Sequence, residues 1–101
     1  MKYLVVFFML ISYKAYAGEA HLGGNVNNIT SIREGLLIAL DTGKPSGCTQ
    51  TSAWMLIPEE NKTMISVALA MHMSGKTKAT IYVDVNASGS YCVIAQYDPH
   101  P

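Results

Sequence analysis

The clearest hydrophobic pattern in this chain is the alternation of apolar and polar residues over 78–85. A period of two is typical of a β-strand with one buried face. After a turn at 86–90, a last strand is predicted over 91–97. In the first of these strands Ala79, Ile81, Val83 and Val85 share one face. In the second, Cys92, Ile94 and Gln96 share one face, and Tyr91, Val93, Ala95 and Tyr97 share the other.

Shorter apolar runs, separated by Gly and Pro, predict three extended segments earlier in the chain. A strand is predicted near 26–33, and the apolar run at 36–41 is typical of a short buried strand. The loop at 42–47 contains Gly and Pro, which interrupt regular structure. Residues 48–57 are predicted to form the third extended segment.

A helix is predicted over 59–74. Pro58 suits a first turn because its missing N–H is not needed there, and Glu59 and Glu60 would lie at the positive end of the helix dipole. Gly75 is the expected stop. The predicted order is therefore β-β-β-α-β-β. The apolar residues of this helix cover more than one face: Met64, Ile65, Val67, Ala68, Leu69, Ala70, Met71 and Met73.

The first 17 residues have the pattern of a secretory signal peptide. Lys2 supplies a positive start, residues 3–12 are an apolar core, and Ala15 and Ala17 are small residues before a cleavage site near Ala17/Gly18. A transmembrane helix needs about 20 apolar residues. We therefore expect a secreted or periplasmic protein with no membrane span.

One domain is expected over 18–97, with a loose arm at 18–28 and a disordered tail at 98–101. A chain of 101 residues excludes a multidomain enzyme and a Rossmann-type cofactor fold. Residues 18–101 carry five basic and seven acidic side chains, a net charge of −2. Neutralising phosphates requires many Lys and Arg side chains, so we expect no nucleic-acid partner.

The chain contains two cysteines, Cys48 and Cys92. In an exported protein a disulfide between them is expected. It would close a loop of about 45 residues and stabilise the domain by roughly 4 kcal/mol in the chain-entropy model. Two buried free thiols, or two ligands of a metal site, are the alternatives.

Residues suited to catalysis are sparse. Glu59 and Glu60 are adjacent and explained by the helix dipole, and His72 near the helix C-terminus is explained in the same way. The chain has no HExxH motif and no Gly-rich phosphate loop. We therefore expect no enzyme, no cofactor and no metal. Three tyrosines could stack on a sugar ring or be ordinary wall residues: Tyr82, Tyr91 and Tyr97.

Five short strands with one helix between the third and fourth are the order of a small OB-type Greek-key barrel. The helix has more apolar residues than one buried face requires, and an exposed apolar strip usually marks an interface. Val67, Met71 and Met73 are thus candidates for an oligomer interface. The alternative is that the barrel wraps most of the helix.

Five features follow one another along the chain: Cys48, Trp54, a helix that runs into residues 70–76, a strand at 80–83, and Cys92. This order resembles the B subunits of subtilase-cytotoxin and pertussis-type AB5 toxins and the small secreted bacterial proteins related to them. The resemblance covers about residues 35–95. It implies an OB fold, a Cys48–Cys92 disulfide, secretion and a glycan-binding ring of five subunits. It assigns no sugar-contacting residue to this chain.

The sequence thus predicts a secreted, non-enzymatic binding module that acts as a homo-oligomer, a pentamer by resemblance. Its partner would be a cell-surface glycan or a catalytic toxin subunit. The alternative is a structural or interaction protein that docks a protein partner through its apolar helix and binds no small ligand.

Overall fold

The computed structural model describes residues 19–85 and 90–100. Its strands and helix follow the predicted order, and in this part of the chain no helix is long and apolar enough to cross a bilayer. The expected signal peptide at 1–17 lies outside the described residues. The elements are β1 Glu19–Ile32, β2 Gly35–Leu40, β3 Met55–Pro58, α1 Lys62–Met73, β4 Lys78–Asp84 and β5 Cys92–Pro99.

The five strands form one sheet that closes on itself in the order β1-β2-β3-β5-β4. β1 pairs antiparallel with both β2 and β4, β2 pairs antiparallel with β3, and β4 pairs antiparallel with β5. β3 and β5 are parallel. The sheet surrounds a core whose most completely buried large side chains include Ile38, Met55, Ile57, Ile81 and Ile94.

β1 is longer than predicted, because it changes partner halfway along. Residues 19–25 pair with β4, and residues 26–32 pair with β2, with an irregularity between Val26 and Asn28. The expected loose arm at 18–28 is therefore wrong from Glu19 onward. At the change of partner, the backbone N–H and the side-chain amide of Asn25 donate to the Asp41 carboxylate at 2.9 and 3.1 Å.

The predicted disulfide is confirmed. Cys48 and Cys92 are joined, with their Cα atoms 5.7 Å apart. Both cysteines are buried in the core cluster. The bond attaches the long connection between β2 and β3 to the first residue of β5.

The predicted start of the helix is wrong. Pro58 ends β3 opposite Gly35, and the N–H of Glu59 donates to the Glu34 carbonyl at 2.9 Å, so the chain continues along the sheet edge before it turns. α1 begins only at Lys62 and has no acidic residue in its first turn. The predicted stop is confirmed, since Gly75 follows the helix with φ +79°.

The tail predicted to be disordered is instead part of the sheet up to Pro99. Asp98 and Pro99 lie opposite Thr80 and Ala79. The N–H of His100 donates to the Lys78 carbonyl at 2.9 Å. Main-chain pairing with β4 therefore orders residues 98–100, and Pro101 lies outside the described residues.

Candidate ligand-binding surface

Three strands, β1, β4 and β5, lie side by side and bring three side chains into one row on the outside of the sheet. Tyr82 of β4 lies opposite His21 of β1 and opposite Gln96 of β5. Its neighbours Ile81 and Val83 are fully buried, so the alternation of the strand directs Tyr82 outward. We call His21, Tyr82 and Gln96 the outer row.

The outer row contains one aromatic contact. The rings of His21 and Tyr82 have centroids 5.2 Å apart and are tilted by 33°. His21 and Gln96 are exposed, and Tyr82 is half-buried. The row therefore offers a phenol ring flanked by an imidazole and an amide, all of which are accessible from solvent.

Gln96 joins this row because β5 contains a bulge. Val83 lies opposite Ile94 and Tyr82 opposite Gln96, which leaves Ala95 as an extra residue in β5. An extra residue reverses the inward and outward alternation beyond it. The prediction that Gln96 shares a face with Cys92 and Ile94 is thus wrong, and Tyr97 enters the core in its place, 8% exposed.

A second polar row lies beside the outer row. It consists of Gly23, Thr80 and Asp98, which lie opposite one another on the same three strands. The Thr80 hydroxyl and the Nε2 atom of His100 are 2.7 Å apart and hydrogen-bonded. Since Gly23 has no side chain, the surface is shallow next to Thr80. A flat ligand on Tyr82 would find hydroxyl and carboxylate groups within this neighbouring row.

A groove of about 590 Å³ lies between β5 and the first half of α1. We call it the α1–β5 groove. Its apolar lining comes from Met64 and Val67 of the helix and Ala95 of the bulge. Tyr97 also borders it, and burial raises the pKa of this phenol above 10.0. The polar residues around the groove are Glu60, Asn61, Lys62, Thr63 and Gln96.

The three residues predicted for an oligomer interface have different surroundings. Met71 is partly buried and packs against the core. Val67 is 36% exposed and Met73 is 83% exposed. Six positions along a helix correspond to about 120° of rotation, so Val67 and Met73 lie on different sides of α1. These three residues do not make one continuous strip.

The other residues singled out in the sequence lie apart from the outer row. Tyr91 is half-buried and borders a recess of about 290 Å³ beside Cys92 and Gln50. Trp54 is half-buried. His72 is half-buried in the last turn of α1, and its Nδ1 atom has no hydrogen-bond partner within the described ranges. In those same ranges, no three His, Cys, Asp or Glu residues are grouped as metal ligands would be.

Sequence reasoning identified Tyr82 but missed its two neighbours. It placed His21 in a loose arm and Gln96 on the opposite face of its strand. The polar face of the alternating segment at 78–85 was the one sequence signal for this surface. The neighbours of Tyr82 depend on strand pairing and on the bulge, which the local sequence does not indicate.

Comparison with family models, with curated proteins and with solved structures finds no significant match to this chain. The resemblance to toxin B subunits therefore stays a prediction.

Proposed function

We propose that this protein is a secreted, OB-type binding module without catalytic activity, and that its ligand is an oligosaccharide. The closed order β1-β2-β3-β5-β4 and the helix between β3 and β4 support the OB-type assignment. The Cys48–Cys92 disulfide is consistent with an oxidising compartment outside the cytoplasm. OB-type modules bind oligonucleotides or oligosaccharides.

The observation that carries the proposal is the outer row. A pyranose ring has a face of C–H groups, which packs against an aromatic ring, and hydroxyls at its edge, which need hydrogen-bond partners. Tyr82 supplies the ring, while Gln96 and His21 supply donors and acceptors on both sides of it. His21 and Gln96 are exposed and Tyr82 is half-buried, so a ligand in solvent can reach the row.

The charge of the chain favours an oligosaccharide over an oligonucleotide as the ligand. Binding a single-stranded nucleic acid combines stacking with a basic groove along the backbone. Residues 18–101 carry a net charge of −2, and the outer row contains no Lys or Arg. A neutral oligosaccharide fits this surface better than a polyanion.

The kinship with toxin B subunits and a five-subunit ring belong to the same proposal. Met73, 83% exposed at the end of α1, is a candidate contact residue for self-association. Light scattering at micromolar concentration tests this part. A monomeric protein would contradict the five-subunit ring. The oligosaccharide site would then still be tested separately.

A glycan array probed with the purified protein, followed by calorimetric titration of the glycans that bind, tests the function. We expect Tyr82→Ala to weaken binding about ten-fold or more, and Tyr82→Phe to keep most of it, because the phenyl ring still stacks. Tyr91→Ala, outside the outer row, is the matched control and should change the Kd less than about two-fold.

Two results would contradict the proposal. If no glycan on the array binds at high protein concentration, the proposal that the ligand is an oligosaccharide is wrong. A glycan whose affinity depends on Tyr91 and not on Tyr82 would remove the outer row as its site. Thermal melts of each variant show that the fold is intact.

A further inference from the structure

Within residues 19–85 and 90–100, no strand neighbours one edge of β5 over most of its length. β4 pairs with β5 from Val93 to Pro99, whereas β3 pairs with it only at Cys92 and Val93. From Ile94 to Pro99 the edge that faces away from β4 therefore has no strand partner in the described part of the chain. An unpaired edge presents backbone N–H and C=O groups to whatever lies beside it.

The reason for this opening is the path of the chain after β3. Pro58, the last residue of β3, has no N–H to donate, and it lies opposite Gly35 of β2. The chain then turns at Glu59 and enters α1, which contacts β5 and borders the α1–β5 groove together with it. The groove thus has a strand edge on one wall and a helix on the other.

Part of the wall formed by the helix is apolar. Met64 and Val67 are one turn apart on α1 and both border the groove. Ala95, the extra residue of the bulge, is small and exposed, so it leaves the space beside these two side chains open. Such a wall can receive apolar side chains.

We propose that the α1–β5 groove binds an extended segment of a partner protein, which adds as a strand to the open edge of β5. Main-chain hydrogen bonds to β5 would hold the segment, and alternate side chains would enter the apolar pocket of Met64 and Val67. Residues 95–99 offer an edge of about five residues at roughly 3.3 Å each, in which Pro99 supplies a carbonyl but no N–H. The groove shares Gln96 with the outer row, but Tyr82, on which the sugar is proposed to stack, does not border it.

An extended peptide fits this groove better than a helix or a sugar. A helix satisfies its own backbone groups and would leave those of β5 unpaired. A sugar could bond to the polar residues at the groove, but it has no regular spacing of donors and acceptors to match a strand edge. The combination of an open edge and an apolar wall is specific to a polypeptide in β conformation.

A library of random linear peptides, panned against the purified disulfide-bonded protein, provides the probe. Enriched peptides are then titrated by fluorescence anisotropy. Val67→Glu places a charge in the apolar wall and should weaken binding at least about ten-fold. Ser66→Glu adds the same charge at an exposed neighbouring position on the helix and should change the Kd less than about two-fold.

Two further measurements distinguish strand addition from side-chain binding alone. Methylating alternate backbone nitrogens of a bound peptide should abolish binding in one of the two alternations and not in the other. Hydrogen exchange should show that, within 94–98, the amides that point away from β4 become protected when the peptide is added.

The proposal is overturned if no peptide is enriched, or if Val67→Glu and Ser66→Glu bind equally well. It is also overturned if both patterns of methylation leave binding unchanged. Protection of the β5 edge before any peptide is added would assign the groove to the chain itself or to a second copy; a dimer lost in Val67→Glu would identify the copy. None of these results would contradict the proposal that a glycan binds through Tyr82.

Discussion

Tyr82 of β4 lies opposite Gln96 of β5, although the adjacent pair in the sheet is Val83 with Ile94. One residue of β5, Ala95, therefore has no partner in β4. This single extra residue places Gln96 on the outer row, Tyr97 in the core and Ala95 in the wall of the α1–β5 groove. The bulge therefore determines which residues of β5 lie on the outer row and which border the groove.

Deletion of Ala95 should be tolerated by the fold. Without it, Ile94, Gln96 and Tyr97 follow one another with regular alternation and keep their partners Val83, Tyr82 and Ile81. We expect a loss of less than about 2 kcal/mol in the free energy of unfolding, measured with urea.

Deletion of Tyr82 is the matched control for Ala95. It would make the fully buried Ile81 and Val83 adjacent in sequence, so that one of them must face water. The loss should be about 3 kcal/mol or more. Equal losses for the two deletions would show that Ala95 is not a simple insertion.

Replacing both cysteines by alanine should destabilise the protein by about 4 kcal/mol, because the bond closes a loop with a sequence separation of 44. Urea denaturation measures the loss. Reduction of the unaltered protein is the control and should lower the midpoint by a similar amount. An unchanged midpoint in both would mean that the core alone fixes the start of β5.

Gly35→Ala should be far more damaging than Gly75→Ala. Gly35 has φ +150°, and a Cβ atom there would overlap the carbonyl oxygen of Ile57 across the sheet. Gly75 has φ +79° but open space around it. We expect losses of roughly 3 kcal/mol or more and about 1 kcal/mol, respectively, from thermal or urea unfolding. Similar losses would show that backbone conformation alone matters at Gly35.

The hydrogen bonds from Asn25 hold the pKa of Asp41 below its ordinary value of 3.8, the backbone N–H contributing most and the side-chain amide next. A carboxyl whose folded pKa is lowered contributes stability that is present above 3.8 and is lost as the pH falls through the folded pKa. Asn25→Ala should raise the pKa of Asp41 part of the way to 3.8, because the backbone N–H remains.

A titration of the Asp41 carboxyl by NMR checks this shift. Asn28→Ala, at a position of β1 opposite Ala39, is the control and should leave the titration unchanged. An Asp41 pKa that is the same in Asn25→Ala and in the unaltered protein would contradict the role of the side-chain amide.

The sequence was most informative where one strand has one buried face. The alternation around Ile81 and Val83 and the stop at Gly75 are both found in the structure. The order of elements and the cysteine pair could also be predicted, since they depend on local pattern and on composition.

Features that depend on pairing between distant strands could not be predicted. Gly- and Asn-rich residues 19–25 have weak strand propensity, yet β4 orders them. Pro58 suggests a helix start locally, but pairing with Gly35 keeps it in the sheet. The bulge at Ala95 has no local signal, so Gln96 was placed on the wrong face, whereas His21 was missed because it lies in residues 19–25.

β1 pairs along one half with β2, its neighbour in sequence, and along the other half with β4, which is synthesised more than 40 residues after β1 ends. On a growing chain, β1, β2 and β3 are synthesised before β4 and β5. Residues 19–25 of β1 remain unpaired until β4 has been synthesised. The disulfide of Cys48 cannot form until Cys92 has been synthesised. Any chaperone or oxidoreductase that assists this protein therefore acts on an incomplete sheet of β1, β2 and β3. The last two strands, β4 and β5, are added to this sheet together.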